Sequence, residues 1–237
     1  MVFVPLRDEN PLRVIRWQWV TMGLIAANTL IFALTVYFQN FTDAQQSIAG
    51  SFAEVPVELL NSGFGPARGR FDALAVPEPL TLITYQFLHG SPLHLVGNML
   101  FLWVFGDNIE DAMGHFKFLI FYLLCGIAGG IVHAIMSPGS AVPLIGASGA
   151  VAGVIAAYLV LHPRVRIWVL AFRFIPLRIS AMWVLGIWVI TQIVMLFIPD
   201  TGPVAWWAHI GGLLAGALLI VFMRRPGTPL FDQARPV

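Results

Sequence analysis

The chain has 237 residues, of which 58% are hydrophobic and only 11% are charged, and its mean hydropathy is +0.82. A soluble domain of this length does not need so much apolar surface, so the composition excludes an ordinary soluble globular protein. The net charge of +1 argues against a nucleic-acid partner, and the single cysteine, Cys125, excludes an internal disulfide.

Long windows without Asp, Glu, Lys or Arg predict the membrane spans. A helix needs about 20 apolar residues to cross roughly 30 Å of hydrocarbon. Four windows fit one span each, and the third fits two, because a Ser-Pro-Gly-Ser run at 137–140 favours a turn between helices. The sequence therefore predicts an all-α bundle of six membrane-spanning helices in the windows 17–42, 79–106, 118–163, 179–199 and 201–223.

The basic residues predict the orientation of the bundle. If the N-terminus is cytoplasmic, eleven of the thirteen Lys and Arg residues lie on that side, and only Arg68 and Arg70 lie on the other. Short cytoplasmic loops retain such residues, so we expect both termini in the cytoplasm. Residues 1–16 are then a short cytoplasmic segment and 224–237 a cytoplasmic tail. The first window is longer than the apolar region of about 7–15 residues in a secretory signal, which indicates a retained span.

Two connections between predicted spans carry apolar residues. The outer loop at 39–77 is only partly polar, so we expect it to lie against the bilayer surface or the helices, although an ordinary covering loop is the simpler alternative. The connection at 162–178 mixes four Arg with apolar residues. That pattern is typical of a segment at the cytoplasmic interface or of a fifth span that begins early, and the sequence leaves both open.

A serine and a histidine lie at matching depths in the predicted fourth and sixth spans. Taken alone, Ser148 is more typical of a helix-packing serine, and His209 has binding, proton-transfer and packing alternatives. However, they stand 13 and 14 residues above the expected cytoplasmic ends at Leu161 and Met223. At a rise of about 1.5 Å per residue, those heights are roughly 20 and 21 Å. A nucleophile and a general base could therefore meet, as a dyad, because no predicted span contains a carboxylate in its interior.

Small residues near this pair would let the two helices approach closely. Gly149 and Gly153 share one row of the fourth span, and Gly212 and Gly216 share a stripe with His209 on the sixth. On the second span, His94 and Asn98 are one helical turn apart. Together with the backbone N–H of Ser148 they could donate to an oxyanion, although a packing contact between helices is the alternative explanation.

Three motifs in order along the chain carry a family resemblance: His94-Leu95-Val96-Gly97-Asn98, Gly146-Ala147-Ser148-Gly149 and Ala208-His209-Ile210-Gly211-Gly212. Together with the residues around His89 and Glu110, they resemble the rhomboid family of intramembrane serine proteases. The resemblance implies that 17–223 is a six-helix catalytic domain with a cavity open to the outer side. It also implies that Ser148 attacks the peptide, that His209 is the base, that His94 and Asn98 help to bind the oxyanion, that Gly146 shapes that pocket, and that Glu110 has a structural role.

Two features depart from some members of that family. An aromatic residue one turn after the serine is replaced by Ala152, which leaves the orientation of His209 unexplained. The outer loop has Arg68 and Arg70 but no tryptophan, so the resemblance does not predict its local structure.

The predicted function is an intramembrane serine endopeptidase without a cofactor or metal. Its partners would be the lipid bilayer and single-pass membrane proteins, cut near the outer face beside small or helix-breaking residues. A bacterial plasma membrane is the expected location, and the sequence does not predict the oligomeric state. Two alternatives are a non-catalytic adaptor or chaperone on the same bundle, and a transporter or channel with a proton relay through His94, His133 and His209.

Overall fold

The computed structural model describes residues 3–39, 48–62, 74, 76–172, 174–198 and 204–231. Nine helices and three strands lie in these ranges. The helices are α1 (Trp19–Gln39), α2 (Ile48–Phe52), α3 (Pro56–Asn61), α4 (Glu78–Thr84), α5 (Pro92–Met113), α6 (His115–Met136), α7 (Ser148–Leu161), α8 (Ala181–Met195) and α9 (Trp206–Met223). The strands are β1 (Phe3–Asp8), β2 (Arg166–Ala171) and β3 (Ile175–Ser180). The prediction of a mostly helical membrane bundle is confirmed.

Three of the described helices are long and apolar enough to cross a membrane: α1 over Trp19–Tyr37, α6 and α9. Helices α7 and α8 are apolar but shorter. Helix α5 has 22 residues and carries three acids in its last two turns, Asp107, Glu110 and Asp111. The number of six spans therefore stays a prediction, and so does the orientation of the termini.

The second predicted span begins later than its uncharged window. The window started at residue 79, but the structure divides it into α4, a 3-10 turn at Tyr85–Phe87, and α5. Ser91 accepts a hydrogen bond from the backbone N–H of His94 at 3.1 Å, and Pro92 occupies the first turn of α5. Serine at the cap and proline in the first turn are strong helix-start signals, so the long helix begins at Pro92.

Helix α7 is the most enclosed helix of the bundle. Eleven of its 14 residues are buried, and it packs against α5, α6 and α9. Its contact with α9 depends on glycine, because a Cβ on Gly212 would overlap the carbonyl oxygen of Gly149, and one on Gly216 would overlap that of Gly153. Helix α8, in contrast, has only four buried residues.

A three-stranded antiparallel sheet in the order β1-β2-β3 corrects the expectation of an all-α fold. The connection at 162–178 forms most of the β-hairpin of β2 and β3. Helix α8, which is the fifth predicted span, begins after the hairpin at Ala181, so this span does not start early. Ile167, Val169 and Ala171 of β2 are buried at alternate positions. The N-terminal segment supplies β1, which pairs with β2.

The described part of the outer loop packs against the segment that precedes α7. Glu54 and Leu144 exchange two backbone hydrogen bonds, and the N–H of Val57 donates to the carbonyl of Ser140 at 3.1 Å. Ala53, Glu54 and Val55 are buried. Arg68 and Arg70 lie outside the described residues, as does most of 63–75.

Candidate active site

Ser148 is the first residue of α7. The preceding residue, Ala147, caps the helix without a side-chain hydrogen bond, and its carbonyl accepts from the N–H of Val151 at 2.9 Å. The first N–H groups of a helix have no partner within the helix and carry its partial positive charge. The partly exposed Ser148 side chain therefore lies beside backbone donors that are suited to a negative charge.

His209 lies in the first turn of α9 and is 7% exposed. Its Nδ1 is 2.8 Å from Oε1 of Gln192 on α8. Trp188, also on α8, packs its ring at 6.0 Å from the imidazole with a 35° tilt, and Trp206 contacts it edge-on at 5.9 Å. These contacts explain how the ring is oriented without an aromatic residue at Ala152, since Trp188 packs against the buried cluster of Ala152, Ala156 and Leu213.

A close approach of α7 and α9 occurs beside these two residues. Gly149 follows Ser148 and lies against Gly212, and a Cβ on Gly149 would be 3.4 Å from the carbonyl oxygen of Ala208, which precedes His209. Ser148 and His209 therefore occupy the same end of two touching helices. Their side chains do not hydrogen-bond to each other in the described structure.

A second group of predicted residues meets the loop before Ser148. Gly146 has φ +126°, and a Cβ there would lie 2.7 Å from Nε2 of His94 and 3.9 Å from Nδ2 of Asn98. The N–H of Gly146 donates to the carbonyl of Tyr85 at 2.9 Å, which holds this loop in place. The structure thus brings His94 and Asn98 to the turn from which α7 begins.

His89 contacts both donors of that group. Its Nε2 is 3.1 Å from Nδ2 of Asn98, and its ring meets that of His94 edge-on at 5.0 Å. An amide NH₂ carries two hydrogens, so the bond to His89 leaves Asn98 one more to donate. The family motif contains His89, but its contact with Asn98 was not predicted.

Glu110 lies away from this group, at the other end of α5. Its side chain is fully buried and accepts from the backbone N–H of Val20 at 2.9 Å and of Thr21 at 2.8 Å, and from Oγ1 of Thr21 at 2.7 Å. It also contacts Nδ1 of His115 at 2.5 Å. The carboxylate thus joins α5 to the start of α1, where a helix favours a negative charge.

The structure adds contacts that the sequence analysis did not assign. The sequence did not predict the contacts of Gln192 and Trp188 with His209. It also did not predict a role for Tyr85, whose hydroxyl donates to the carbonyl of Gly126 at 2.7 Å. Within the described ranges, no group of three or more His, Cys, Asp or Glu residues could hold a metal ion.

Comparison with known proteins identifies the family. The Rhomboid domain matches residues 77–226, which is well over half of the chain and includes α5 to α9. The chain belongs to the rhomboid family. It is an integral membrane protein of a family of intramembrane proteases.

Three relatives show how far this rhomboid chain resembles curated proteins. It is 26% identical to RHOMBOID-like protein 6, mitochondrial, of Arabidopsis thaliana, over 85% of this chain and 67% of that protein. It is 29% identical to Rhomboid-like protease 3 of Toxoplasma gondii, over 70% and 58%. It is 28% identical to the human presenilin-associated rhomboid-like protein, mitochondrial, over 86% and 48%.

The rhomboid chain thus spans between about half and two thirds of the length of these relatives. All three are eukaryotic, and two are mitochondrial by name. They give no support to the sequence-based prediction of a bacterial plasma membrane.

Proposed function

We propose that this rhomboid is a serine endopeptidase that cuts membrane proteins within the bilayer, with Ser148 as nucleophile and His209 as general base. The observation that carries the proposal is the contact between the N-terminal ends of α7 and α9, where Gly149 and Gly212 touch beside these two residues. Serine needs a base to remove its proton, and imidazole is suited to this task.

The reaction would be acyl transfer followed by hydrolysis. Ser148 Oγ attacks the scissile carbonyl while Nε2 of His209 takes its proton, and the same proton then goes to the leaving amine. Water, activated by His209, hydrolyses the ester that remains. The missing hydrogen bond between the two side chains is compatible with this role, because hydrogen bonds of catalytic groups are often long before substrate binds.

The oxyanion of the tetrahedral intermediate would be bound beside Gly146. Three donors would serve there: the side chains of His94 and Asn98, and a backbone N–H at the start of α7, which has no partner within its own helix. Removing one such donor typically costs about 10²–10³ in rate. With a bulkier residue at position 146, a Cβ would occupy the space 2.7 Å from His94.

The proposed substrates are single-pass membrane proteins. We infer six spans with both termini in the cytoplasm, so that the first turns of α7 and α9 lie toward the outer face and cleavage occurs near it. A substrate helix hides its carbonyl groups in backbone hydrogen bonds, and the segment must unwind before attack. Cleavage should therefore be fastest beside small or helix-breaking residues, and replacing these with leucine in a reporter should slow it.

The test is cleavage of a single-pass reporter by the purified chain in liposomes. Ser148→Ala and His209→Ala should each lower the turnover number by at least about a thousandfold. Ser140→Ala is the matched control, because that serine lies on the same connection and its side chain accepts the N–H of Val142 at 3.2 Å, with no other bond among the described residues. A Ser148→Ala protein that still cuts the reporter would exclude the proposed nucleophile, and a chain that cuts no reporter would favour an adaptor function.

A further inference from the structure

Gln192 is a buried polar residue of the mostly apolar helix α8. Over residues 188–195 it is the only buried residue of the helix, with 4% of its surface exposed. A polar amide in a membrane helix costs free energy unless it finds a partner. Gln192 faces away from the lipid and finds two, one on its own helix and one on α9.

These two contacts fix which way the amide points. Its Nε2 donates to the backbone carbonyl of Trp188 at 2.9 Å, and its Oε1 lies 2.8 Å from Nδ1 of His209. The reverse orientation would place the amide oxygen against the carbonyl oxygen of Trp188, and two acceptors repel each other. Oε1 therefore faces His209, and the hydrogen of that bond has to belong to Nδ1.

We propose that Gln192 is the positioning residue of the dyad, which holds His209 as the Nδ1–H tautomer and so leaves Nε2 free to take the proton of Ser148. In a serine triad a buried carboxylate has this task. Here a neutral amide oxygen on a neighbouring helix performs it, in a site whose described hydrogen bonds include no carboxylate. The inference rests on the proposed function and adds the residue that makes His209 a base.

The same bond acts again when the proton moves. As His209 becomes charged, its Nδ1–H bond to Gln192 becomes charge-assisted and gains strength, which stabilises the state that follows attack. Without the acceptor, the ring loses that stabilisation and can adopt the Nε2–H tautomer, which cannot accept a proton from serine. A hydrogen bond to a charged group is worth enough to change the rate by roughly ten- to a hundredfold.

Three variants separate this role from that of a simple contact between helices. Gln192→Met has a similar shape but no acceptor, whereas Gln192→Glu in its neutral form can donate to the Trp188 carbonyl and keep an acceptor oxygen toward His209. Leu185→Ala is the matched control, because Leu185 is a fully buried residue of α8 in the half of the helix away from the site. It should destabilise α8 without touching His209.

The first readout is the ¹⁵N spectrum of the His209 ring, assigned by its loss in His209→Asn, which reports the tautomer whether or not the chain is active. We expect protonated Nδ1 in the wild type and in Leu185→Ala, and a shift toward protonated Nε2 in Gln192→Met. The second readout is reporter cleavage, which should fall roughly ten- to a hundredfold in Gln192→Met and largely recover in Gln192→Glu.

The outcomes distinguish the two proposals. Protonated Nε2 in the wild type, or a Gln192→Met protein with wild-type cleavage and tautomer, would overturn the role of Gln192 and leave the dyad intact. Equal losses of cleavage in Gln192→Met and Leu185→Ala, in proportion to lost thermal stability, would reduce Gln192 to a packing contact. A wild-type chain that shows the expected tautomer but cuts no reporter would instead reject the proposed function.

Discussion

Replacing Gly212 with alanine should separate the catalytic pair without altering either member. The added Cβ would overlap the carbonyl oxygen of Gly149 and lie 2.8 Å from its carbonyl carbon and 3.3 Å from its Cα. All three are backbone atoms, so no flexible side chain can move aside. Carbon atoms are in favourable contact at about 3.5–4.0 Å, so α9 has to retreat from α7 by about an ångström at the level of Ser148.

That displacement gives the expected magnitude. A misplacement of about 1 Å can cost about a hundredfold in rate, and overpacking typically costs about 1–3 kcal/mol of stability. The assay is the turnover number on the single-pass reporter, measured with the thermal unfolding midpoint in the same detergent. Gly186→Ala is the control, since a Cβ on this glycine of α8 would meet no atom within 4 Å. If Gly212→Ala cleaves and unfolds like the wild type, the close helix approach is refuted.

Three further predictions concern other parts of the chain. Burial and, to a lesser extent, the charge of Glu78 raise the pKa of Glu54 in the outer loop from 4.5 to about 8. The stability that the neutral form of Glu54 contributes should therefore be present below about pH 4.5 and be lost as the pH rises to 8. The unfolding midpoint of Glu54→Gln should lack this pH dependence. Glu110→Ala leaves three donors at the start of α1 without an acceptor and should cost about 3–5 kcal/mol in unfolding measurements, with cleavage per folded molecule within about twofold of the wild type. Trp188→Leu removes a ring that packs on His209 and should lower the turnover number about three- to tenfold, and an unchanged value would show that this contact does not orient the imidazole.

The uncharged windows located most helices but not the start of the second long one. The turn at 137–140 falls where α6 ends, and α7 and α9 end at Leu161 and Met223, the ends on which the depth comparison was based. Counting charges ignores local helix signals, however, and so it missed the break at Ser91 and Pro92. A capping serine followed by proline indicates a helix start even inside an apolar stretch.

The small sheet could not be predicted from windows of hydropathy. Strand β1 pairs with β2, which lies more than 150 residues further along the chain, and local sequence carries no information about such a partner. The hairpin itself left one trace, the alternation of buried Ile167 and Val169 with more exposed neighbours. A mixture of arginine and apolar residues is also typical of a membrane interface, so this segment did not by itself indicate a hairpin.

Gln192 could have been found by the depth comparison that paired Ser148 with His209. It stands 11 residues above the first residue of α8, Ala181, which is roughly 17 Å, whereas His209 stands roughly 21 Å above the end of α9. A polar side chain at nearly the same height was therefore a candidate partner. Its bond to Nδ1 could not be predicted, because it depends on how α8 is rotated against α9.

The most direct test of the Ser148–His209 pair is peptide mass mapping of the chain after reaction with a fluorophosphonate probe. The proposal predicts one adduct on Ser148, no adduct in Ser148→Ala, and a labelling rate in His209→Ala that is lower by at least about a thousandfold. An adduct on another serine, or equally fast labelling of Ser148 in the absence of the His209 imidazole, would contradict it.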